Sequence, residues 1–402
     1  MPIDRAGSKR LIREINEALV LSELRRSGPC SRADIVRATQ LSSPTVTAIT
    51  GRLIDLGLLE EHSTAPSAGG RPPVLLAVKQ DWAYVAGVKI TESQVIAVLT
   101  DLGASVVARS RIPLDGQMPE LVTSATYRAV ENLRRHVADR ALLGIGVGLA
   151  GMIDRDTGSV TRGTYFGWTD VPFAAMIHDA TGLPAVIDND VNTLALSEQL
   201  WGAGRGVDNF VVISIGRGIG MAMVLDGRIY RGAQGGAGEI GHIKVHPGGN
   251  LCACGGRGCL ETVIGEPAVR SLLAAIAGRD LTVDEAGHLA RAGEERYRAV
   301  FDDIGRRLGA AVAAATVIVN PTRIVLAGEG THNIDLILPG FESVFREGVV
   351  ASVHERITVH ADPWDDESWA RGAASLVLSG LFEPNLTSAE TSRPSLTGLS
   401  AG

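Results

Sequence analysis

A chain of 402 residues is long enough for two or three domains, and 45% hydrophobic against 21% charged residues excludes a disordered or fibrous protein. The net charge of −7 speaks against a nucleic-acid partner only as a whole-chain sum. Residues 1–78 carry 10 Lys and Arg against 8 Asp and Glu (+2), whereas the rest carries 28 against 37 (−9), so a basic module stays possible. The 48 glycines and 4% aromatics suggest tight turns and close backbone contacts. Of four cysteines, Cys252, Cys254 and Cys259 fall within eight residues. Such clustering points to metal or redox chemistry in a reducing compartment, not to a secreted disulfide framework. The first ten residues hold no apolar segment of the signal-peptide kind, and the most apolar run, Leu308–Val319, ends at Asn320-Pro321, too short to span a bilayer. A cytoplasmic protein without membrane contact is expected.

In chain order, Leu11, Ile15, Ala18, Leu19 and Leu24 recur at helical spacing and predict a first helix ending near Gly28-Pro29. Ser31 caps a second helix over Arg32–Thr39. After a short turn, Ser42-Ser43-Pro44 opens a third, from about Pro44 to Leu56, stopped by Gly57. Val46, Ile49, Leu53 and Leu56 form its core face, and the opposite face, with Pro44, Thr47, Ala48 and Gly51, is small and weakly polar. Small residues let a helix sink into the major groove, where Thr and Ala methyls meet thymine methyls. Two short strands, Leu58–Glu61 and Val74–Val78, then flank a Gly-Gly-Arg71-Pro-Pro tip suited to a narrow A·T-rich minor groove. Residues 1–78 therefore predict a winged helix-turn-helix. Its DNA-contacting residues are Ser43, Pro44, Thr45, Thr47, Ala48 and Arg52 on the recognition helix and Arg71 at the wing tip. The alternative is a three-helix packing module with a polar loop.

From Trp82 onward strands alternate with helices. Tyr84–Ile90, Gln94–Thr100 and Ala104–Ser110 predict three strands, followed by a helix over Glu120–Ala138. Leu143–Leu149 and Ala185–Ile187 read as buried parallel strands, the second leading through Asp188-Asn189-Asp190 into a helix over Val191–Trp201. The pattern repeats with strands Phe210–Ile215 and Met221–Leu225, a helix over Arg296–Val319 and a strand Arg323–Leu326. Two α/β lobes, 79–200 and 201–381, with a ligand cleft between them follow, the last helix free to pack back on the first lobe. Residues 382–402, rich in Ser, Thr, Pro and Gly, predict a disordered tail.

His242, Cys252, Cys254 and Cys259 supply one imidazole and three thiolates, a closed tetrahedral shell that suits structural rather than hydrolytic zinc. A reactive cysteine pair would need neither the third Cys nor the His. Cys30 stands apart and reads as packing.

Glu239-Ile-Gly-His242, then Cys252-Ala-Cys254-Gly-Gly-Arg-Gly-Cys259-Leu-Glu261, resembles the signature of the ROK family of repressors, open reading frames and kinases. Asp188-Asn189-Asp190 with the helix to Glu198 resembles its Asn-Asp motif, and many ROK repressors carry a winged helix-turn-helix ahead of the sugar domain. The resemblance implies a two-lobed, actin/hexokinase-like sugar-binding fold. It places sugar contacts at Gly151, Asn189, Asp190, Glu239, His242 and Glu261, with Asp190 as the base of the kinases and His242 serving zinc and sugar together. ROK kinases hold ATP phosphates on an Asp-x-Gly-Gly-Thr-Lys loop, where this chain has Lys89-Ile-Thr91-Glu92-Ser-Gln94, with a negative Glu92 where phosphates should sit. The second loop, Gly216-Arg217-Gly218-Ile-Gly220-Met221, is half kept, and Gly328-Glu329-Gly330 resembles the adenosine-side turn. The expected function is a sugar-responsive transcriptional regulator, more repressor than activator, without kinase turnover and with Asp190 a vestigial base. It would bind an inverted-repeat, partly A·T-rich operator as a homodimer or homotetramer. The alternatives are a ROK sugar kinase with an appended DNA-binding head and a purely structural zinc protein.

Overall fold

The computed structural model describes residues 9–64, 73–137, 139–163, 165–364 and 366–382. The wing tip with Arg71 and residues 383–402 of the expected tail lie outside these residues.

The N-terminal head contains α1 (Lys9–Ser27), β1 (Cys30–Ser31), α2 (Arg32–Thr39), α3 (Ser43–Asp55), β2 (Leu59–Thr64) and β3 (Val74–Val78). Its sheet has the order β1-β3-β2, with all pairs antiparallel. Local chemistry sets the helix boundaries. Ser31 and Asp34 form a reciprocal capping box, so α2 starts where the sequence places it. Ser42 accepts from the Thr45 amide, which starts α3 at Ser43, one residue earlier than expected. Val46, Ile49 and Leu53 are buried against α1 and α2, while Leu56 caps the helix and is only half-buried.

The first lobe runs through β4 (Ala83–Ile90), β5 (Gln94–Thr100), β6 (Val106–Pro113), α4 (Pro119–Arg134), β7 (Ala141–Leu149), β8 (Met152–Asp154), β9 (Ser159–Gly163), β10 (Trp168–Val171), α5 (Phe173–Thr181), β11 (Ala185–Asn189) and α6 (Asp190–Trp201). The strand expected from Ala104 starts at Val106. Residues 101–105 form a turn in which Asp101 accepts from the Gly103 and Ser105 amides and Ala104 takes φ 61°. The helix expected to reach Ala138 stops at Arg134, with Arg135 as its cap. The small β10-β9-β8 sheet has strands of three to five residues, too short to leave a periodic signal.

The second lobe contains β12 (Phe210–Ile215), β13 (Ile219–Leu225), β14 (Arg228–Tyr230), α7 (Glu261–Ile264), α8 (Glu266–Ala277), α9 (Val283–Arg291), α10 (Glu295–Val319), β15 (Arg323–Ala327), α11 (Ile334–Gly348), α12 (Ala351–His354) and β16 (Thr358–Ala361). The two main sheets repeat one plan. β11-β7-β4-β5-β6 and β16-β15-β12-β13-β14 each join three parallel strands to two antiparallel ones. A last helix, α13 (Asp366–Phe382), returns to the first lobe. It lies so close to the sheet that a Cβ on Gly87 or Gly146 would come within 2.0 Å of the Ala370 carbonyl or 1.9 Å of the Ala373 carbonyl. Glycines on the sheet and alanines on the helix together permit that contact. Phe382, placed by the sequence reading in the tail, closes this helix and is buried edge-on against Trp201. One continuous core joins the head (Val20, Leu24, Ile35, Leu53) to the first lobe (Val85, Leu143) and to α13 (Val377, Leu381). Among the described residues no helix is long and apolar enough to cross a membrane.

Candidate sugar cleft, metal cluster and DNA-binding face

Strand ends meet between the lobes. Leu149 ends β7 and Asn189 ends β11, in parallel register, so the Ala150-Gly151 turn and the start of α6 lie side by side. Gly151 takes φ +140°, and a Cβ there would press on the Arg162 carbonyl at 2.6 Å, so only glycine fits this turn. Asn189 ties the two together. Its Oδ1 accepts from the Val191 and Asn192 amides as the α6 cap, and its Nδ2 donates to the Gly151 carbonyl at 3.0 Å. Asp190 opens α6 and lines a cavity of about 300 Å³ between the lobes, together with Gly151, Asn189, Glu239, His242 and Glu261. All six residues singled out from the sequence thus reach one cavity, whose volume suits a single small ring.

Burial pushes the Asp190 carboxyl above its ordinary range, partly offset by the Lys89 ammonium. Burial does the same to Glu239, and the adjacent His242 counteracts it. Behind them Asp188 is buried, yet its carboxyl is held below the usual range. The cost of burial is outweighed by Arg231, whose Nε and Nη2 donate to Oδ2 at 2.9 and 2.6 Å, and by Arg155. Arg231 follows β14 in the second lobe, so this pair, with Asp188 buried and Arg231 half-buried, bridges the lobes behind the cavity.

His242 turns Nδ1 toward the Cys252 sulfur at 3.5 Å and Nε2 toward Glu239 at 3.5 Å. One ring nitrogen thus faces the cysteine cluster and the other the cavity. The ligand atoms of His242, Cys252, Cys254 and Cys259 all lie within 4.8 Å of one another and could hold a metal ion. The Cys254–Cys259 sulfur separation is 3.7 Å. Tetrahedral zinc with ordinary bond lengths requires about 3.8 Å between sulfurs and about 3.6 Å between sulfur and nitrogen, so the donor set fits that ion. Lys244 donates to the Cys259 sulfur at 2.7 Å, placing a positive charge beside the cysteine sulfurs. Cys252 lies 4.0 Å from Glu261, so the cluster also abuts a second cavity residue.

The sequence marks Lys89, Glu92 and Arg217 only as departures from phosphate loops, and Glu329 only as part of a turn resembling the adenosine-side one. In the structure they line the same cavity and pair across it. Lys89 Nζ lies 2.8 Å from Glu329 and 3.6 Å from Asp366, and Arg217 lies 2.7 Å from Glu92. Tyr165 and Trp369 complete these contacts, under Arg217 at 5.1 Å and under Lys89 at 4.4 Å. A spacing of 240 residues between Lys89 and Glu329 leaves no local signal.

On the head, Ser43, Pro44, Thr47 and Ala48 are exposed on one side of α3, and Thr45 is half-buried. Arg52, expected among them, turns back to pair with Glu17 of α1. The head meets the body at the far end of α6. Arg25 donates to the Leu200 carbonyl at 2.9 Å, and its guanidinium lies 5.5 Å from the Trp201 ring and 5.6 Å from the Phe382 ring. Arg205, just beyond α6, donates to the Arg26 carbonyl at the end of α1.

The MarR family model matches residues 14–69. The chain is similar to the DNA-binding transcriptional dual regulator NagC of Escherichia coli K12, 29% identical over 94% of this chain and 95% of that protein. It is also similar to the xylose repressor of Bacillus subtilis, 25% identical over 94% of this chain and 98% of that protein. A crystal structure of a ROK family transcriptional regulator, a homolog of the E. coli MLC protein, superposes with a TM-score of 0.83. It is 29% identical and covers 93% of this chain and 98% of its own. A ROK glucokinase from Streptomyces griseus, in complex with glucose and AMPPNP, shares the fold at a TM-score of 0.65. It is 24% identical and covers 73% of this chain and 99% of its own. With the ROK family model matching residues 85–379 as well, a span of most of the two lobes, the chain belongs to the ROK family.

Proposed function

We propose that this chain is a sugar-responsive transcriptional repressor, cytoplasmic and without kinase activity. Its cleft binds a sugar through Gly151, Asn189, Asp190, Glu239, His242 and Glu261, and its head binds operator DNA through the exposed side of α3 and the wing. The observation that carries this reading is a single helix. α6 begins in the cavity at Asp190 and ends under the head at Leu200 and Trp201. Its 12 residues span about 18 Å, a rigid rod between effector and DNA-binding module. Carboxylates, an amide and an imidazole in a small cleft match vicinal hydroxyls, which both donate and accept. His242, Cys252, Cys254 and Cys259 hold a structural zinc that keeps His242 and Glu261 aimed at the sugar. Asp190 is a vestigial base, because Lys89 and Arg217 are occupied by carboxylates of the chain itself.

Two heads in a homodimer would meet successive major grooves of an inverted repeat, about 34 Å apart, so sugar-driven closure changes their fit. A sugar acts only through different affinities for the two arrangements. The test is a thermal-shift screen of monosaccharides, amino sugars and their derivatives on the full-length chain. Genomic fragments selected by the protein are then titrated with and without each hit. A sugar that stabilises the chain and shifts its DNA affinity is expected, with no ADP release from Mg-ATP. Sugar-dependent ADP release, or DNA binding indifferent to every stabilising sugar, would remove this reading.

A further inference from the structure

The cavity is acidic. Seven carboxylates line it, against two fixed cations, Lys89 and Arg217. Lys89 is buried and Arg217 belongs to the glycine turn Gly216-Arg217-Gly218, and both are already paired across the lobes. Lys89 of β4 holds Glu329 at 2.8 Å and Asp366 at 3.6 Å, and its ammonium lies 4.4 Å from the Trp369 ring. Arg217 holds Glu92 at 2.7 Å and stacks on Tyr165 at 5.1 Å.

A glycine-rich turn with a lysine close by is the chemistry that receives a phosphoryl group, because exposed backbone amides and a point charge offset its negative oxygens. Here a carboxylate fills that role. A Cβ on Gly216 would lie 2.5 Å from Glu329 Oε2, so the Glu329 carboxylate rests directly on the turn while Lys89 binds its other oxygen. A Cβ on Gly218 would likewise lie 2.6 Å from Glu261 Oε2. The space beside both glycines is thus taken by carboxylate oxygens. Lys89 and Glu329 also both act on the Asp190 carboxyl, which places this occupied region next to the group that would meet a sugar hydroxyl.

We propose that the cleft takes an unphosphorylated, uncharged sugar and rejects sugar phosphates, with the Glu329 carboxylate acting as a built-in substitute for the phosphoryl group between Lys89 and the glycine turn. This rests on the sugar-binding reading above and sharpens it to a ligand class. A phosphate entering here must displace Glu329 or Glu92 and then face the remaining carboxylates. A neutral sugar leaves both ion pairs in place, and they hold the two lobes together over it. Like charges brought together at such a site are strongly disfavoured.

Isothermal titration of the full-length chain decides the matter, using glucose, N-acetylglucosamine and xylose, the 6-phosphates of the two hexoses, and inorganic phosphate. The same titrations are run on the double variant E92Q/E329Q, which keeps side-chain size, removes the carboxylate partner of Arg217 and leaves Lys89 with Asp366 alone. The wild-type chain should bind at least one hexose about a hundredfold or more tightly than its 6-phosphate, and inorganic phosphate should not compete. In the double variant that ratio should narrow by at least about tenfold and inorganic phosphate should begin to bind. Wild-type binding of a 6-phosphate as tight as its parent hexose, or an unchanged ratio in the double variant, overturns the inference and leaves the sugar reading standing. Binding of no sugar of either kind overturns both. Near-ultraviolet circular dichroism of the double variant confirms that its fold is retained.

Discussion

Glu198 is only 1% exposed and sits where the chain crosses from one lobe to the other. Its two oxygens accept from the Ala203 amide at 2.7 Å and the Trp364 indole at 3.1 Å, one on each crossing segment. Burial, reinforced by the nearby Asp362 carboxylate, pushes its carboxyl from 4.5 up to about 7. Between those values the folded chain holds a proton that the unfolded chain releases. This contribution to stability is complete below about pH 4.5 and is lost as pH rises through 7. At about 1.4 kcal/mol per unit, the total is on the order of 3 kcal/mol. Asp188 acts with the opposite sign. Its lowered value gives stability that is present above 3.8 and lost only as pH falls further, outside this window. Urea denaturation between pH 5 and pH 8 should show wild-type stability declining across the range. Glu198→Gln should flatten that decline while lowering stability at pH 5, because its amide nitrogen meets one of the two donors. An unchanged slope in the variant would assign the titration elsewhere.

α6 is the element through which the proposed effector response would run. Its N-terminal cap, Asn189, bonds to the Gly151 turn, and its last turn offers the Leu200 carbonyl to Arg25 of the head. Removing the Arg25 side chain costs a hydrogen bond and two aromatic contacts, about 1–3 kcal/mol at the junction, and touches nothing in the cavity. In Arg25→Ala, sugar affinity measured by titration should stay within about twofold of wild type. The change in DNA affinity on adding sugar should shrink at least about fivefold, within the range of ordinary coupling energies. Full sugar response in the variant would show that the signal reaches the head by another route. Elements with strong local signals were readable from sequence, such as α2 with its capping box and the parallel strands β7 and β11 with their apolar runs. α6, expected over Val191–Trp201, was legible to within one residue, whereas α13, buried on nearly all sides and without a clear apolar stripe, was expected only as a last helix without bounds. The six residues expected to contact a sugar come from the resemblance to the ROK motifs, and the structure brings all six to one cavity. The pairs Lys89–Glu329 and Arg217–Glu92 were not, since each partner is ordinary in its own segment and the pairing exists only once the lobes face each other.

At the scale of the whole molecule, the cysteine cluster and the head belong to different bodies. The loop from Lys244 to Cys259 is part of the second lobe, and its sulfurs back His242 and Glu261 at the cavity. The head instead shares its core with β4, β7 and α13 of the first lobe. The loop is built from turns, with the Cys252 amide donating to the Gly256 carbonyl at 2.8 Å and the Gly258 amide to the Asn250 carbonyl at 2.9 Å. Two isolated bridges, Lys244 with Cys259 and Leu251 with Arg257, are its only sheet-like pairing among the described residues. A metal ion held by His242, Cys252, Cys254 and Cys259 would tie these turns to one centre, as in small zinc modules. Metal removal should then disconnect sensing from DNA binding without destroying the latter. Metal analysis of the purified chain should find one zinc equivalent, and Cys254→Ser or prolonged chelation should lose it. Sugar affinity should fall at least about tenfold, because His242 and Glu261 lose their backing. DNA affinity without sugar should change little, since α1–α3 and the first lobe keep their common core. The diagnostic result is a chain that still binds operator and no longer responds to sugar. Equal losses of DNA and sugar binding would instead mean that the metal holds the whole fold together, and intact sugar affinity without metal would mean that the cavity is ordered independently of the cluster.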